Sequence, residues 1–433
     1  MGSPVRIAAA TARRPVPKFL AAAVLAAVTL GPATARADDV VLRWNEIAAR
    51  TATATNPFNQ ARIGATVQLS VFEAVNAITG EYEPYLDPAI EAPPGASLEA
   101  AVVIAAHKTL VTYFPLAAPA LDAARDVDLA AIPDGQEKTD GIAVGLAAAT
   151  AMIARRAADG SSPPAFFTPT SSAPGDYRLT TGCAAGVFLH WPNVTPFGIA
   201  TPGDFLLPPP PQLGSNRYRK DYEEVQWVGA ATSTARPEDR TEVARLYGAT
   251  SPSFALSMAT RQIAAAKGTS VAENARALAL LHMSINDSLV ASFMNKYHYI
   301  LWRPETGIRN GELDGDDRTD ADPAFTPLIP TPCFPSYPSN HASGTAAGLE
   351  VLRRLFGAAG HDITIENNVP ALGALPATFI SRQYSQLGAI AADVDDARVY
   401  GGIHWRFDQT AGNTLGRAVA TEVVKNNLRP VHP

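Results

Sequence analysis

Arg398-Val-Tyr-Gly-Gly-Ile-His404-Trp-Arg-Phe-Asp408 (RVYGGIHWRFD, residues 398–408) puts a guanidinium, an imidazole and a carboxylate into one short segment. His404 and Asp408 are one helical turn apart if the segment is helical, close enough for the carboxylate to orient the ring. Reading upstream, PSNH (338–341) adds Ser339, Asn340 and His341, and KYHYILWRP (296–304) adds Lys296 and Arg303. A multiply charged tetrahedral oxyanion needs several donors converging on its oxygens. Guanidinium forks and an ammonium point charge supply them. Ser339 and the Asn340 amide stand where a helix begins near His341, so unpaired amides and the positive dipole end add to the same charge. Histidine, with an ordinary pKa near 6.5, is left as proton carrier or neutral nucleophile.

Outward from these segments, apolar residues recur at helical spacing. Between residues 59 and 75 they are Ile63, Val67, Leu69, Val71, Phe72 and Val75. Helices are expected at about 97–113, 139–158, 219–229, 237–248, 271–296, 341–356, 374–393 and 408–425, Ala-rich for the most part. No stretch alternates as a sheet would and no repeat of fixed period appears, so the expectation is an all-α, large helical-bundle protein. At 433 residues either one large core or two packed halves fits. The division expected is 1–37 signal peptide, 38–165 N-terminal helical half, 166–211 Pro/Gly-rich connection and 212–433 C-terminal helical half carrying the oxyanion site, the halves packed as one unit.

Lys-x6-Arg-Pro, Pro-Ser-Asn-His and Arg-x5-His-x3-Asp resemble the signature of the vanadium-dependent haloperoxidases and the type 2 phosphatidic-acid-phosphatase superfamily. YHYILWRPETGI (297–308), FPSYPSNHA (334–342), VYGGIHWRF (399–407) and FEAVNAITGEYEPY (72–85) look like its haloperoxidase-related branch. The resemblance implies vanadate, or phosphate in the same place, held by Lys296, Arg303, Ser339, Asn340, Arg398 and His404. His404 is then the residue bonded to vanadium, or the nucleophile of an acid phosphatase working through a phosphohistidine. His341 is implied as the acid–base partner, Lys296 as the group polarising bound peroxide, and Asp408 as the residue orienting His404. Phe334 and Phe293 match aromatic residues near a halide site. The partners implied are hydrogen peroxide with a halide or a small organic substrate, with a homodimer left open. Two positions depart from the pattern: Asn340 stands where Gly is usual and Ala397 where Ser is usual. Asn tolerates positive φ best among non-Gly residues, so its amide can still face the anion. A non-catalytic oxyanion-binding protein is the third reading.

Arg6, Arg13, Arg14 and Lys18, the apolar run 19–30 and the small residues of Ala35-Arg36-Ala37 read as a secretory signal, for a secreted or periplasmic protein. Twelve apolar residues are too few to cross about 30 Å of hydrocarbon, so no stable membrane anchor is expected. Removing 1–37 takes away five positive charges and no negative one, moving the formal net charge from −6 to −11, which disfavours nucleic acid. Cys183 and Cys333 could form one disulfide or stay as two thiols. No zinc-type Cys/His spacing and no Gly-rich phosphate loop is present. His107, His190, His282 and His361 read as structural or exposed, His298 and Trp302 as packing beneath the first motif, and Asp314–Asp317 as a solvated turn rather than a calcium loop.

Overall fold

In the computed structural model, residues 39–431 are described, so the signal-peptide reading of 1–37 lies outside the described residues. The chain begins with α1 (Val40–Ala52), α2 (Pro57–Thr79), α3 (Leu98–Tyr113), α4 (Ala118–Ala130) and α5 (Gln136–Arg156). After a long connection come α6 (Asn216–Gly229), α7 (Glu238–Ala249), α8 (Pro252–Lys267), α9 (Val271–Tyr299) and α10 (Pro304–Arg309). The last part is α11 (Asn340–Phe356), a hairpin of β1 (Ala359–Val369) and β2 (Thr378–Gln386), α12 (Leu387–Val399) and α13 (Arg406–Asn426). The architecture is all-α apart from that hairpin.

α9 is the axis of the molecule and packs against α2, α11 and α13. A Ser270–Glu273 capping box starts it. Ile300, at φ 51°, ends it by turning the chain so that Arg303 and Pro304 open α10. α9 is apolar and long enough to cross a membrane by length and composition, but 94% of its most apolar window is buried within the protein, as in a core helix. α2 is pinned by Asn56, whose side chain accepts from the Phe58 and Asn59 amides, and stops at Gly80 in the left-handed region.

α11 and α13 meet almost backbone to backbone. A Cβ on Gly416 would lie 2.1 Å from the Ser343 carbonyl oxygen, and one on Gly412 would lie 2.7 Å from that of Ser339. Only hydrogen at these two positions lets the start of α11, with Ser339 and His341, lie beside the start of α13, with Asp408.

The connection 166–211 is tied to the helices rather than loose. Asp287 of α9 accepts from the amides of Phe197, Gly198 and Ile199, Asn295 accepts from Leu207, and Cys183 is disulfide-bonded to Cys333. The pairing left open by the sequence is thereby settled as a disulfide.

The hairpin corrects two expectations, the absence of sheet and a helix over 374–393. Ile363 and Ile365 on β1 and Ile380 and Tyr384 on β2 alternate inward, Ile363 facing Tyr384 in the antiparallel register. The inward positions are few and the turn carries Pro370 and Pro376, so the period is too short to stand out; the helix starts only at Leu387. α1, α4, α8 and the short α10 were also not foreseen.

Candidate active site

α9, the 334–341 loop, α12 and the turn before α13 converge on one point. Arg398 and His404 are buried there, and Lys296, Arg303, Ser339 and Asp408 are wholly so. His404 Nδ1 donates to Asp408 Oδ2 (2.7 Å), and Arg303 Nη1 lies 2.9 Å from His404 Nε2. A guanidinium only donates, so Nε2 must be the bare nitrogen and Nδ1 the protonated one. Asp408 Oδ2 also accepts from Ser336 Oγ (2.6 Å) and the Trp405 amide (3.2 Å), which fixes the plane of the ring. Burial, with Arg303, Lys296 and Arg398 nearby, drives the His404 pKa well below its ordinary value, and the ring is neutral, its unprotonated Nε2 accepting from Arg303.

Arg303 is locked by the carbonyls of Phe334 (2.8 Å) and Ile403 (2.9 Å), yet its Nη2 has no partner. Arg398 has one long bond, Nη1 to the Tyr247 carbonyl (3.3 Å), and its Nε has none. Burial pushes Arg303 down to about 10, and burial with Arg303 beside it pushes Arg398 down to about 9. Both stay charged at neutral pH. His341 is held by the same Tyr247 carbonyl, and burial with Arg398 beside it keeps its ring neutral. The Asn340 side chain accepts from Ser292 Oγ (2.6 Å), leaving Nδ2 unpaired. Ser339 caps α11 by accepting from the Ala342 amide, so its own proton remains to be donated.

Three buried cations thus share a site with one carboxylate, Asp408, whose own pKa burial raises against the pull of Ser336, Lys296 and Arg303. Buried unpaired N–H groups and uncompensated charge are costly. A tetrahedral oxyanion supplies both the missing acceptors and the missing charge, so the donor set fits vanadate or phosphate. Among the described residues no His/Cys/Asp/Glu cluster suits a metal cation.

Lys296 departs from the role drawn for it. Its ammonium donates to the carbonyls of Pro335 (2.9 Å), Ser336 (2.7 Å) and Pro338 (2.5 Å), so its protons are spent on the loop before α11. It contributes charge from beneath the site and sets the loop that places Ser339. Asn340 is another correction: it occupies the first turn of α11 and does not require the positive φ proposed for it. The peptide geometry is helical, so the backbone requires no glycine there.

The site opens on a cavity of about 630 Å³ lined by His341, Arg398, His404 and Asn340 on one side and by Phe58, Phe188, Leu289, Ile329, Pro330 and Phe334 on the other. Phe334 reaches the cavity and lies over Lys296 (5.2 Å) and Arg303 (4.9 Å), while Phe293 stacks edge-on behind it (5.2 Å). His341 also borders a smaller, more polar recess of about 130 Å³ beside Gln60, Thr250 and Ser251. Phe58, Phe188 and the Tyr247 carbonyl carried no signal in the sequence. Ser336 did: it is the other serine of FPSYPS. His298 is exposed, not packed beneath the motif, whereas Trp302 is buried and donates to Tyr218 (3.0 Å). The acidic turn is no solvated loop either, since Asp314 and Asp316 are buried and bonded to Thr319 and Arg318.

Residues 276–433 match the VCPO second helical-bundle domain. The vanadium chloroperoxidase of Curvularia inaequalis is 26% identical over 184 residues, 33% of this chain, and the match spans only 29% of that relative's length. Among solved structures, a bacterial vanadium-dependent iodoperoxidase superposes with a TM-score of 0.73 at 22% identity, over 91% of this chain and 97% of that one. A holo-type bacterial vanadium-dependent chloroperoxidase gives 0.70 at 16%, over 87% and 93%. Residues 276–433, which carry every motif residue described above, are thus a helical bundle of the vanadium chloroperoxidase second-domain type, and the rest of the chain shares the fold of the bacterial vanadium-dependent haloperoxidases.

Proposed function

We propose that this protein is a vanadate-dependent haloperoxidase, exported by way of residues 1–37, that oxidises halide with hydrogen peroxide. The observation that carries the reading is the excess of buried cations around the bare His404 Nε2, with unpaired donors at Arg303 Nη2, Arg398 Nε and Asn340 Nδ2. Those donors, the Ser339 hydroxyl and the first amides of α11 would hold vanadate, with His404 Nε2 as the nitrogen that would bind it. Bound vanadate supplies a Lewis-acidic centre that activates hydrogen peroxide toward a nucleophilic halide.

The protein's own part is binding, orientation and proton handling. Arg303 and Arg398 cannot lose their charge at working pH, so the field on the anion is permanent and needs no reorganisation during reaction. Asp408 keeps His404 in the tautomer that leaves Nε2 unprotonated. His341, neutral and anchored on the Tyr247 carbonyl, borders the cavity and the polar recess, and is placed to accept a proton from peroxide and return it to leaving water. The apolar wall keeps bulk water from competing.

The test is an assay of purified mature protein with and without orthovanadate, using peroxide, iodide, bromide or chloride and a dye acceptor, beside p-nitrophenyl phosphate hydrolysis. Halogenation that depends on vanadate supports the proposal. Phosphate release that vanadate inhibits would replace it with a phosphatase using His404 as nucleophile, and a chain that binds vanadate without turning over either substrate would be an oxyanion-binding protein.

A further inference from the structure

The cavity over the site is much larger than its proposed small reactants require. Water occupies about 30 Å³ in the liquid, and peroxide and a halide are not far larger, against about 630 Å³ of space. Its wall is aromatic and aliphatic with two exceptions away from the oxyanion shell: Asn56, whose side-chain oxygen is spent capping α2, and Arg245 of α7, the one that carries charge. This guanidinium is 9% exposed, pairs with no carboxylate among the described residues, and spends only Nη2, on the carbonyls of Pro370 (3.2 Å) and Pro376 (2.5 Å) in the hairpin turn. Its Nε is buried without a partner. A cation placed in an apolar wall and left uncompensated is costly unless something neutralises it.

Resting on the haloperoxidase reading, we propose that the cavity binds the organic acceptor itself, an electron-rich aromatic bearing an acidic oxygen, with its acid group on Arg245 and its ring against the wall that the mutually packed Phe58, Phe188 and Phe334 form beside the oxyanion site. Arg245 is a binding residue separate from the vanadate shell. Tyr247, two residues along α7, uses its carbonyl to hold Arg398, so one helix aligns the two cationic points of the cavity. The reaction balances as ArH + X⁻ + H₂O₂ + H⁺ → ArX + 2 H₂O: peroxide is reduced, halide is oxidised, the ring C–H gives way to C–X, and the ring proton leaves to water. Holding the ring at the site makes the halogen transfer regioselective instead of leaving it to released hypohalite.

The experiment is calorimetric binding of 6-hydroxy-2-naphthoate and of its methyl ester to mature protein saturated with orthovanadate, without peroxide or halide, so that no turnover occurs. The acid is expected to bind at least about tenfold more tightly than the ester, as one charge-assisted pair allows. Arg245→Met should remove most of that preference and Arg245→Lys should keep part of it. Ala371→Trp, at the exposed rim, should weaken acid and ester alike, and it serves if the Arg245 variants do not fold. Equal binding of acid and ester by the wild type overturns the proposal, as does an undiminished preference in Arg245→Met. Acid binding seen only without vanadate also overturns it, because the carboxylate would then be sitting in the oxyanion shell. Acid-selective binding by a protein that never oxidises halide would sink the haloperoxidase reading and leave the Arg245 site standing.

Discussion

Replacing Arg398 by Met should stabilise the ligand-free protein while weakening its grip on the oxyanion. The guanidinium is buried, has one 3.3 Å bond to protein and no carboxylate, and lies near Arg303. Its pKa, pressed from 12.5 to about 9, corresponds to about 5 kcal/mol by which the empty site disfavours the charge. At neutral pH Arg398 remains charged, so that cost is borne in full. Met keeps much of the apolar stem, and replacing buried charge by apolar volume commonly gains about 1–4 kcal/mol. The same change removes a charged donor from the anion, costing about 1.5–3 kcal/mol of affinity, or about ten- to a hundredfold in Kd. Urea unfolding without ligand, then with orthovanadate at a hundred times the wild-type Kd, reads both effects. The variant should have the higher midpoint without vanadate, and its gain on adding vanadate should fall well short of the wild type's about 2.7 kcal/mol. A ligand-free variant several kcal/mol less stable than wild type would make Arg398 a structural residue. Unchanged vanadate affinity would remove it from the site.

Gly416→Ala sets a methyl 2.1 Å from the Ser343 carbonyl oxygen; α11 and α13 must part, with a loss of about 1–3 kcal/mol and a lower vanadate affinity, read by thermal melting with and without vanadate. A wild-type melting curve would refute the close-contact argument. Glu73 of α2 is 2% exposed, and burial raises its pKa to about 7, so between about 4.5 and 7 the unfolded chain ionises while the folded one keeps the proton. Stability should therefore fall by about 3 kcal/mol as pH rises through that window, and Glu73→Gln should flatten the fall when urea midpoints are compared at pH 5 and pH 8. Opening the Cys183–Cys333 disulfide, which spans 150 residues, by paired Ser substitutions should cost about 2–5 kcal/mol in urea, and no shift would mean that the 166–211 segment is held by its other contacts alone.

Much of the site was legible because its chemistry depends on residue type at close spacing. His404 and Asp408 are one turn apart, Ser339 precedes a run of helix formers, and charged residues beside Pro and Gly in an Ala-rich chain stand out against a packing background. The helical class was legible for the same local reason, since periodicity is carried within each segment. The hairpin was not, because each strand offers only two or three inward residues and pairing is a long-range matter.

What the sequence by itself determined is the set of groups that can hold a tetrahedral anion, their order, and the helices that carry them. What only the tertiary structure decided is how each group is spent. It turned the Lys296 ammonium onto three carbonyls, left Arg303 Nη2 and Arg398 Nε unpaired, and made the Tyr247 carbonyl the common anchor of Arg398 and His341. It also joined Cys183 to Cys333 and brought Phe58, Phe188 and Arg245 to one cavity from segments far apart in the chain. The physical reason is that a hydrogen bond or an unpaired charge is a property of neighbours in space, and backbone carbonyls look alike at every position of a sequence until packing selects one.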